Sequence, residues 1–98
     1  MYARVTTVQF QPGKIYEAQR IFREQIAPTI HEQPGSKGLL YLADPDINRA
    51  LVVTLWDGEE DALAIEQDGT FYSAIMEIGH LMAAPPGQDE FKVVSVQL

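Results

Sequence analysis

The sequence predicts an α+β domain in which four strands form one antiparallel sheet and helices cover a single face of it. The strand-like and helix-like segments follow the order β-α-β-β-α-β, which is the ferredoxin-like split βαβ arrangement. The run from Ala50 to Trp56, ALVVTLW, is apolar at every position except Thr54, so both faces of this strand are expected to be covered. Because the chain has only enough helix for one face, we expect a second copy of the chain on the other.

The first half of the chain predicts a strand, a helix and a hairpin. Tyr2 to Phe10 is rich in β-branched and aromatic residues and ends at a Pro-Gly turn, which predicts the first strand. From Lys14 to about Glu32 the apolar residues recur at helical spacing, and Pro28 is expected to kink this helix near its third or fourth turn. Leu39–Ala43 and Arg49–Trp56 are predicted to be two strands joined by a loop of hairpin length.

The second half predicts two helical segments and a last strand. A capping-box-like pattern that begins at Asp57 predicts a short helix through about Gln67, which an Asp-Gly pair then ends. Thr70–Met82 has helical periodicity, and Phe91–Leu98 is predicted to be the last strand after a Pro-Pro-Gly loop. Residues 1–98 are therefore predicted to form one domain.

Composition excludes several classes of function. Seven Lys and Arg residues stand against fourteen Asp and Glu residues, and the net charge of −7 argues against binding to nucleic acid or to an anionic membrane. The absence of Cys removes disulfides, thiolate catalysis and Cys-ligated metals. Strand-like sequence from Tyr2 leaves no room for a signal peptide, and no apolar stretch reaches membrane-spanning length. We therefore expect a cytoplasmic protein.

The two histidines are the first candidates for chemistry, because His is the commonest general base and metal ligand. On a helical wheel His80 lies with Ser73 and Glu77, away from the apolar arc of the last helix. His31 lies on the polar side of the first helix. Both are expected to face solvent, and their separation gives no metal-ligand spacing, so no metal site is expected.

Trp56 and Tyr72 are the leading candidates for catalysis. Trp56 ends a central strand, where it either fills the core or forms a pocket wall that stacks on an aromatic substrate. Tyr72 lies at the edge of the apolar arc of the last helix, so its ring is expected to be buried while its hydroxyl bonds a substrate anion. The lower-ranked candidates for the substrate pocket are Arg4, Thr6, Gln19, Tyr41 and Met76.

Several short segments together carry a family resemblance. They are Pro12-Gly13-Lys14, Ile26-Ala27-Pro28-Thr29 running to Glu32-Gln33-Pro34-Gly35, the strand Gly38-Leu39-Leu40-Tyr41, Leu55-Trp56 leading into Glu59-Glu60, and Phe71-Tyr72. In this order and spacing they resemble the antibiotic biosynthesis monooxygenase domains of the dimeric α/β barrel superfamily. The resemblance spans essentially the whole chain. It implies a homodimer whose two sheets face each other, with a pocket in each subunit between the sheet and the helices.

For chemistry, the resemblance implies an oxygenase that acts without metal, flavin or haem on an aromatic, polyphenolic or quinol-type molecule. The substrate, held as its anion in a dry apolar pocket, itself reduces O2. Trp56 is expected to stack on it, Tyr72 to form a hydrogen bond and Arg4 to offset negative charge. Because the fold hosts many activities, two alternatives stay open: a non-catalytic ligand-binding or regulatory dimer, and a stress-related protein of unknown ligand.

For haem, the family resemblance can be checked at the individual positions that would bind the cofactor. Haem-degrading members carry an axial His on the last helix, where this chain has Ile75. They also carry an Asn on the first strand, and Tyr2 to Phe10 contains none. We therefore expect no specific haem binding.

Overall fold

One antiparallel sheet of four strands forms the frame of the molecule. The computed structural model describes residues 1–98, the whole chain. The strands are β1 (Tyr2–Gln9), β2 (Ser36–Asp44), β3 (Arg49–Trp56) and β4 (Gly87–Lys92). They lie in the order β2-β3-β1-β4, and every neighbouring pair is antiparallel. The predicted α+β class and the four-stranded antiparallel sheet are confirmed.

The helical segments fall into two groups that follow β1 and β3. They are α1 (Ile15–Ile21), a π-helical turn (Phe22–Ile26), α2 (Ala27–His31), α3 (Glu59–Gln67), α4 (Thr70–Ile75) and a 3-10 segment (Met76–Leu81). The first three run on without a break and correspond to the single predicted helix. Pro28 lacks an N–H and its ring clashes with the preceding turn of a regular α-helix, and the wider π-helical turn ends at Ile26, two residues before Pro28. No helix has both the length and the apolar character needed to cross a membrane.

The start of α3 lies one residue later than the sequence predicts. Gly58, not Asp57, is the N-cap residue, and the carboxylate of Asp61 accepts a hydrogen bond from the Gly58 N–H at 3.2 Å. Asp57 is engaged elsewhere: its N–H donates to the carbonyl of Gly35 at 2.9 Å, and its carboxylate lies 3.2 Å from the Lys37 ammonium. These contacts hold Asp57 to the β2 side of the sheet and leave the cap to the next residue.

The last strand is the element whose predicted position is wrong. It was expected at Phe91–Leu98, whereas β4 ends at Lys92 and the residues after it form no strand. The pairing explains the difference, because Lys92 lies opposite Tyr2 at the very start of β1. Val93 still donates to a backbone carbonyl of the first residue at 3.0 Å, and beyond it β1 offers no further partner.

One face of the sheet is covered by the helices and the other is open. Side chains alternate between faces along each strand, so Val52 and Trp56 of β3 face the helices and lie in the main hydrophobic core. The opposite face is largely apolar, and we call it the open face; its large apolar members are Val5, Leu40, Leu42, Leu51, Val53, Leu55 and Phe91, and the register also places Thr7, Arg49 and Asp89 on it. Within it Leu40 is 53% exposed and Phe91 is 55% exposed. One apolar sheet face is thus left without cover by this chain.

Candidate functional site

The largest cavity lies between α4, the 3-10 segment and the loop that leads into β4. Its volume is about 650 Å³, which is within the range of small-molecule sites. We call it the α4 cavity. Its lining includes one carboxylate, one amide and three large apolar or aromatic side chains: Glu66, Gln88, Phe71, Tyr72 and Met76.

A sharp turn between α3 and α4 determines which residues reach this cavity. Gly69 has a φ of 81°, a left-handed conformation that glycine adopts without strain. The carboxylate of Asp68 accepts a hydrogen bond from the N–H of Thr70 at 2.9 Å, and its hydrogen bonds to Thr70 hold the pKa of Asp68 below its usual value. The turn sets the start of α4 so that Phe71 is buried and Tyr72 is exposed.

Arg4 is a buried cation next to the α4 cavity. Its Nη2 lies 2.6 Å from Oε2 of Glu66 and 2.8 Å from Oε1 of Glu90, and its Nε donates to the same Glu90 oxygen at 2.9 Å. The guanidinium carbon lies 5.2 Å from the centroid of the Phe71 ring. The Tyr2 hydroxyl donates to the other oxygen of Glu90. A fully buried charge needs such partners, and the two carboxylates supply them.

Sequence reasoning missed both glutamates of this network. Glu66 lies at the end of α3 and Glu90 lies in β4, which the sequence places too late in the chain. One signal was present: Arg4 shares a strand face with Thr6 and Val8, and a cation on a face that packs against helices needs acidic partners. That signal predicts acidic partners without identifying them.

Trp56 lies in the core and lines none of the cavities. Its side chain is fully buried, and its indole N–H donates to Oγ1 of Thr54 at 2.9 Å. This position agrees with the alternative in which Trp56 fills the core. Stacking of the ring on a substrate stays a prediction.

The other candidates lie in three different places: the α4 cavity, a second cavity and the buried helix side of β1. Tyr72 and Met76 line the α4 cavity, but Tyr72 is 69% exposed, so its ring is not buried as the sequence led us to expect. Thr6 is fully buried on the helix side of β1. Gln19 and Tyr41 line a second cavity of about 410 Å³ between the first helical region and β2.

Tyr41 is a partly buried phenol in this second cavity. Its ring packs against Phe22 with 4.6 Å between the centroids, and its hydroxyl has no hydrogen-bond partner. Because the phenolate would lose hydration there, burial raises the pKa of Tyr41 to about 12.

We therefore expect the Tyr41 phenol to ionise late in an alkaline titration. The pKa of Tyr41 in the folded chain lies above the value of about 10 for an unfolded tyrosine, so its contribution to stability is complete below pH 10. That contribution is lost as the pH rises from about 10 through about 12. Phenolate absorbance measures the titration, and in Tyr41→Phe the late phase should lose the amplitude of one tyrosine. An unchanged late phase in this variant would contradict the assignment.

The histidines lie outside every one of these sites. His31 and His80 are both exposed, as predicted. No group of three or more His, Cys, Asp or Glu residues is arranged to hold a metal ion.

Comparison with known proteins supports the fold. No protein-family model matches the sequence, and no curated protein matches it significantly. Among solved structures, a provisionally named antibiotic biosynthesis monooxygenase from Bordetella bronchiseptica is similar with a TM-score of 0.82 and 18% identity, over 96% of this chain and 97% of that one. A provisionally named one from Nitrosomonas europaea gives 0.80 and 16%, over 97% and 100%. A variant of SnoaB, a cofactor-independent oxygenase from Streptomyces nogalater, gives 0.78 and 16%, over 97% and 94%.

TM-scores at this level establish a shared fold over essentially the whole chain, although the sequence identity is low. The resemblance that the sequence motifs carry is thereby confirmed for the fold. The activities named for these neighbours belong to those proteins.

Proposed function

We propose that this chain is a homodimeric, cytoplasmic monooxygenase that oxidises an aromatic, polyphenolic or quinol-type molecule in the α4 cavity without metal, flavin or haem. The main support is the cavity itself, an apolar and aromatic space of about 650 Å³ beside a buried guanidinium and its two carboxylates. The name of the Streptomyces nogalater neighbour, a cofactor-independent oxygenase, supports the same class of chemistry.

In this proposal the Glu66 carboxylate is the general base. It lines the cavity, and Arg4 holds one of its oxygens at 2.6 Å. The carboxylate takes the acidic proton of the substrate, and the resulting anion transfers electrons to O2. For a ring CH2 between two aromatic rings the balance is CH2 plus O2 giving C=O plus H2O. The substrate supplies all four electrons, so O2 is the only co-reactant.

The remaining residues shape the cavity and bind the substrate. Tyr72 and Met76 lie on its wall, where the Tyr72 hydroxyl donates a hydrogen bond to the substrate oxygen as negative charge develops there. Phe71 separates the bound molecule from Arg4 and keeps water from the guanidinium. Trp56 is proposed to support this wall from the core.

The open face supports the homodimer. It is continuous over three strands, since Leu40, Val53 and Val5 lie side by side across β2, β3 and β1, and Phe91 adds an apolar residue on β4. A small domain with an exposed apolar face of this kind gains stability by burying it against a second copy. The two open faces are then expected to lie against each other.

The test is oxygen consumption with a panel of anthrones, quinols and flavonols. Tyr72→Phe is expected to lower kcat/KM about 2- to 13-fold, because Tyr72 is exposed and a hydrogen bond that water can replace is worth about 0.5 to 1.5 kcal/mol. Tyr16→Phe is the matched control: Tyr16 is 66% exposed on α1 and lines no cavity, so its variant should keep full activity. His80→Ala should also keep it and change stability by roughly 0.5 kcal/mol or less.

Two outcomes would contradict this assignment. If no member of the panel is oxidised, the monooxygenase proposal fails. If His80→Ala abolishes activity while Tyr72→Phe leaves it intact, the chemistry lies outside the α4 cavity.

The second candidate is a non-catalytic dimer that binds a hydrophobic or aromatic metabolite in the same cavity. It is favoured by the scarcity of titratable groups there, since Glu66 and Tyr72 are the only ones in the lining. Binding of panel members without oxygen consumption would support this candidate.

A further inference from the structure

We propose that Gly79 is a specificity-determining residue of the α4 cavity: through the Met76 side chain that lies against it, Gly79 determines how wide a ring system the cavity accepts. The inference rests on the proposed function for its cavity. It goes further by naming the pair of residues that limits the size of the bound molecule.

The backbone does not require glycine at position 79. Gly79 lies inside the 3-10 segment and its φ is not positive, so alanine could adopt the same backbone conformation. Inside a helical segment glycine is less favourable than alanine, because it loses more conformational freedom when the chain folds. The presence of glycine here is therefore explained by what surrounds it.

The Met76 side chain occupies the space that a side chain at position 79 would need. Residues three apart lie one above the other in a 3-10 helix, which places Met76 next to Gly79. A Cβ added to Gly79 would overlap with Cε of Met76 and would lie 3.2 Å from its Sδ. The three heavy atoms nearest to that Cβ all belong to Met76. Glycine thus allows the Met76 methyl group to lie directly against the backbone.

This contact lies in the wall of the α4 cavity, because Met76 and Gly79 both line it. Methionine is unbranched and has three rotatable side-chain bonds, so it is the partner that moves when a methyl group is inserted between the two residues. Seven of the twelve lining residues are hydrophobic. A displaced thioether keeps more apolar contact by moving over this lining than by turning into water. We therefore expect an alanine at this position to push Met76 into the space that a ligand uses.

Two fluorescent probes that differ by one fused ring, 2-naphthol and 2-anthrol, test this role. Fluorescence anisotropy measures their dissociation constants under nitrogen, so that neither probe is oxidised. Gly79→Ala should weaken the binding of 2-anthrol about tenfold, the lower end of the effect of one methyl group in an apolar pocket. The binding of 2-naphthol should change by less than about twofold, because the smaller ring system leaves room for the displaced thioether.

Two further variants separate a narrower cavity from a general loss of structure. Gly87→Ala is the matched control, since a Cβ there meets no atom within 4 Å, the φ of Gly87 is not positive and the residue does not line the cavity. It should leave both dissociation constants unchanged. In a Met76→Ala background, Gly79→Ala should have no effect on either probe, because the overlapping atoms are gone. The Tm of Gly79→Ala should stay equal or rise, as expected for alanine in a helical segment.

Four results would overturn the role of Gly79: unchanged binding of 2-anthrol in Gly79→Ala, an equal loss for both probes, the same loss in the Met76→Ala background, or no binding of either probe to the unmodified chain. A lower Tm with unchanged ring-size preference belongs to the first of these, because the structure then absorbs the overlap. Since binding needs no turnover, ring-size selection without oxygen consumption keeps the role of Gly79 and rejects the monooxygenase. Oxygen consumption without ring-size selection does the reverse.

Discussion

A Val53→Asp variant is expected to be a folded monomer at micromolar concentrations at which the unmodified chain is a dimer. Val53 lies in the middle of the open face, between Leu40 on β2 and Val5 on β1. In a symmetric dimer each substitution occurs twice, so two carboxylates would be buried without partners. At about 3 kcal/mol for each unpaired charge, the loss is roughly 6 kcal/mol, or about four powers of ten in Kd.

The variant should still fold, because Val53 is partly exposed in the single chain and an Asp there stays hydrated in the monomer. Sedimentation velocity measures the assembly, and circular dichroism checks the fold. Leu63→Asp is the control: Leu63 is an exposed apolar residue on α3, away from the open face, and its variant should remain a dimer. An unmodified chain that sediments as a stable monomer at micromolar concentration would refute the dimer.

The residues first expected to form the dimer face need one correction. The sequence predicts that Val52, Leu55, Val93, Val94 and Val96 lie on both faces of strands that the helices cover on one side only. Leu55 lies on the open face and Val52 lies under the helices, so these two do occupy the two faces of one strand. The three later valines follow the end of β4 and belong to no strand.

The position of β4 is determined by its pairing with β1 and not by the local β-propensity of the sequence. The tail after Lys92 is rich in valine and has the higher β-propensity, so it was predicted as a strand. The observed strand instead contains Gln88 and Glu90, whose side chains face the helix side of the sheet. There the Glu90 carboxylate forms an ion pair with Arg4. Because these residues lie near opposite ends of the chain, no local sequence pattern could predict this contact. β3, by contrast, has the predicted bounds, because turn residues precede it and its apolar run is unambiguous.

The candidate site was predictable only in part for the same reason. Tyr72 lies in α4 and Met76 begins the 3-10 segment that continues it, so helical spacing places them together, and both line the α4 cavity. Gln19 and Tyr41 come from different elements and lie in the second cavity. Which cavity a residue reaches depends on how elements pack, and that information is not local.

Trp56→Ala is expected to lower the free energy of unfolding by about 3 to 5 kcal/mol, the usual cost of removing a large aromatic ring from a core. Trp56 is fully buried within the hydrophobic core, and its indole N–H is the donor to Thr54. Trp56→Phe should cost less, and its remaining loss should include about 1 kcal/mol from the Thr54 hydroxyl that is left unpaired. Denaturation by urea at a fixed protein concentration, followed by circular dichroism, measures these values.

A double variant tests whether this hydrogen bond is the cause. Adding Thr54→Val to Trp56→Phe removes the unpaired hydroxyl and should recover about 1 kcal/mol, whereas Thr54→Val alone removes the acceptor of the indole and should destabilise. Because the ring lines none of the cavities, Trp56→Phe should keep most of the turnover found with the substrate panel. If turnover is lost while stability is kept, the ring contacts the substrate, and the reacting molecule must reach past the α4 cavity as far as β3.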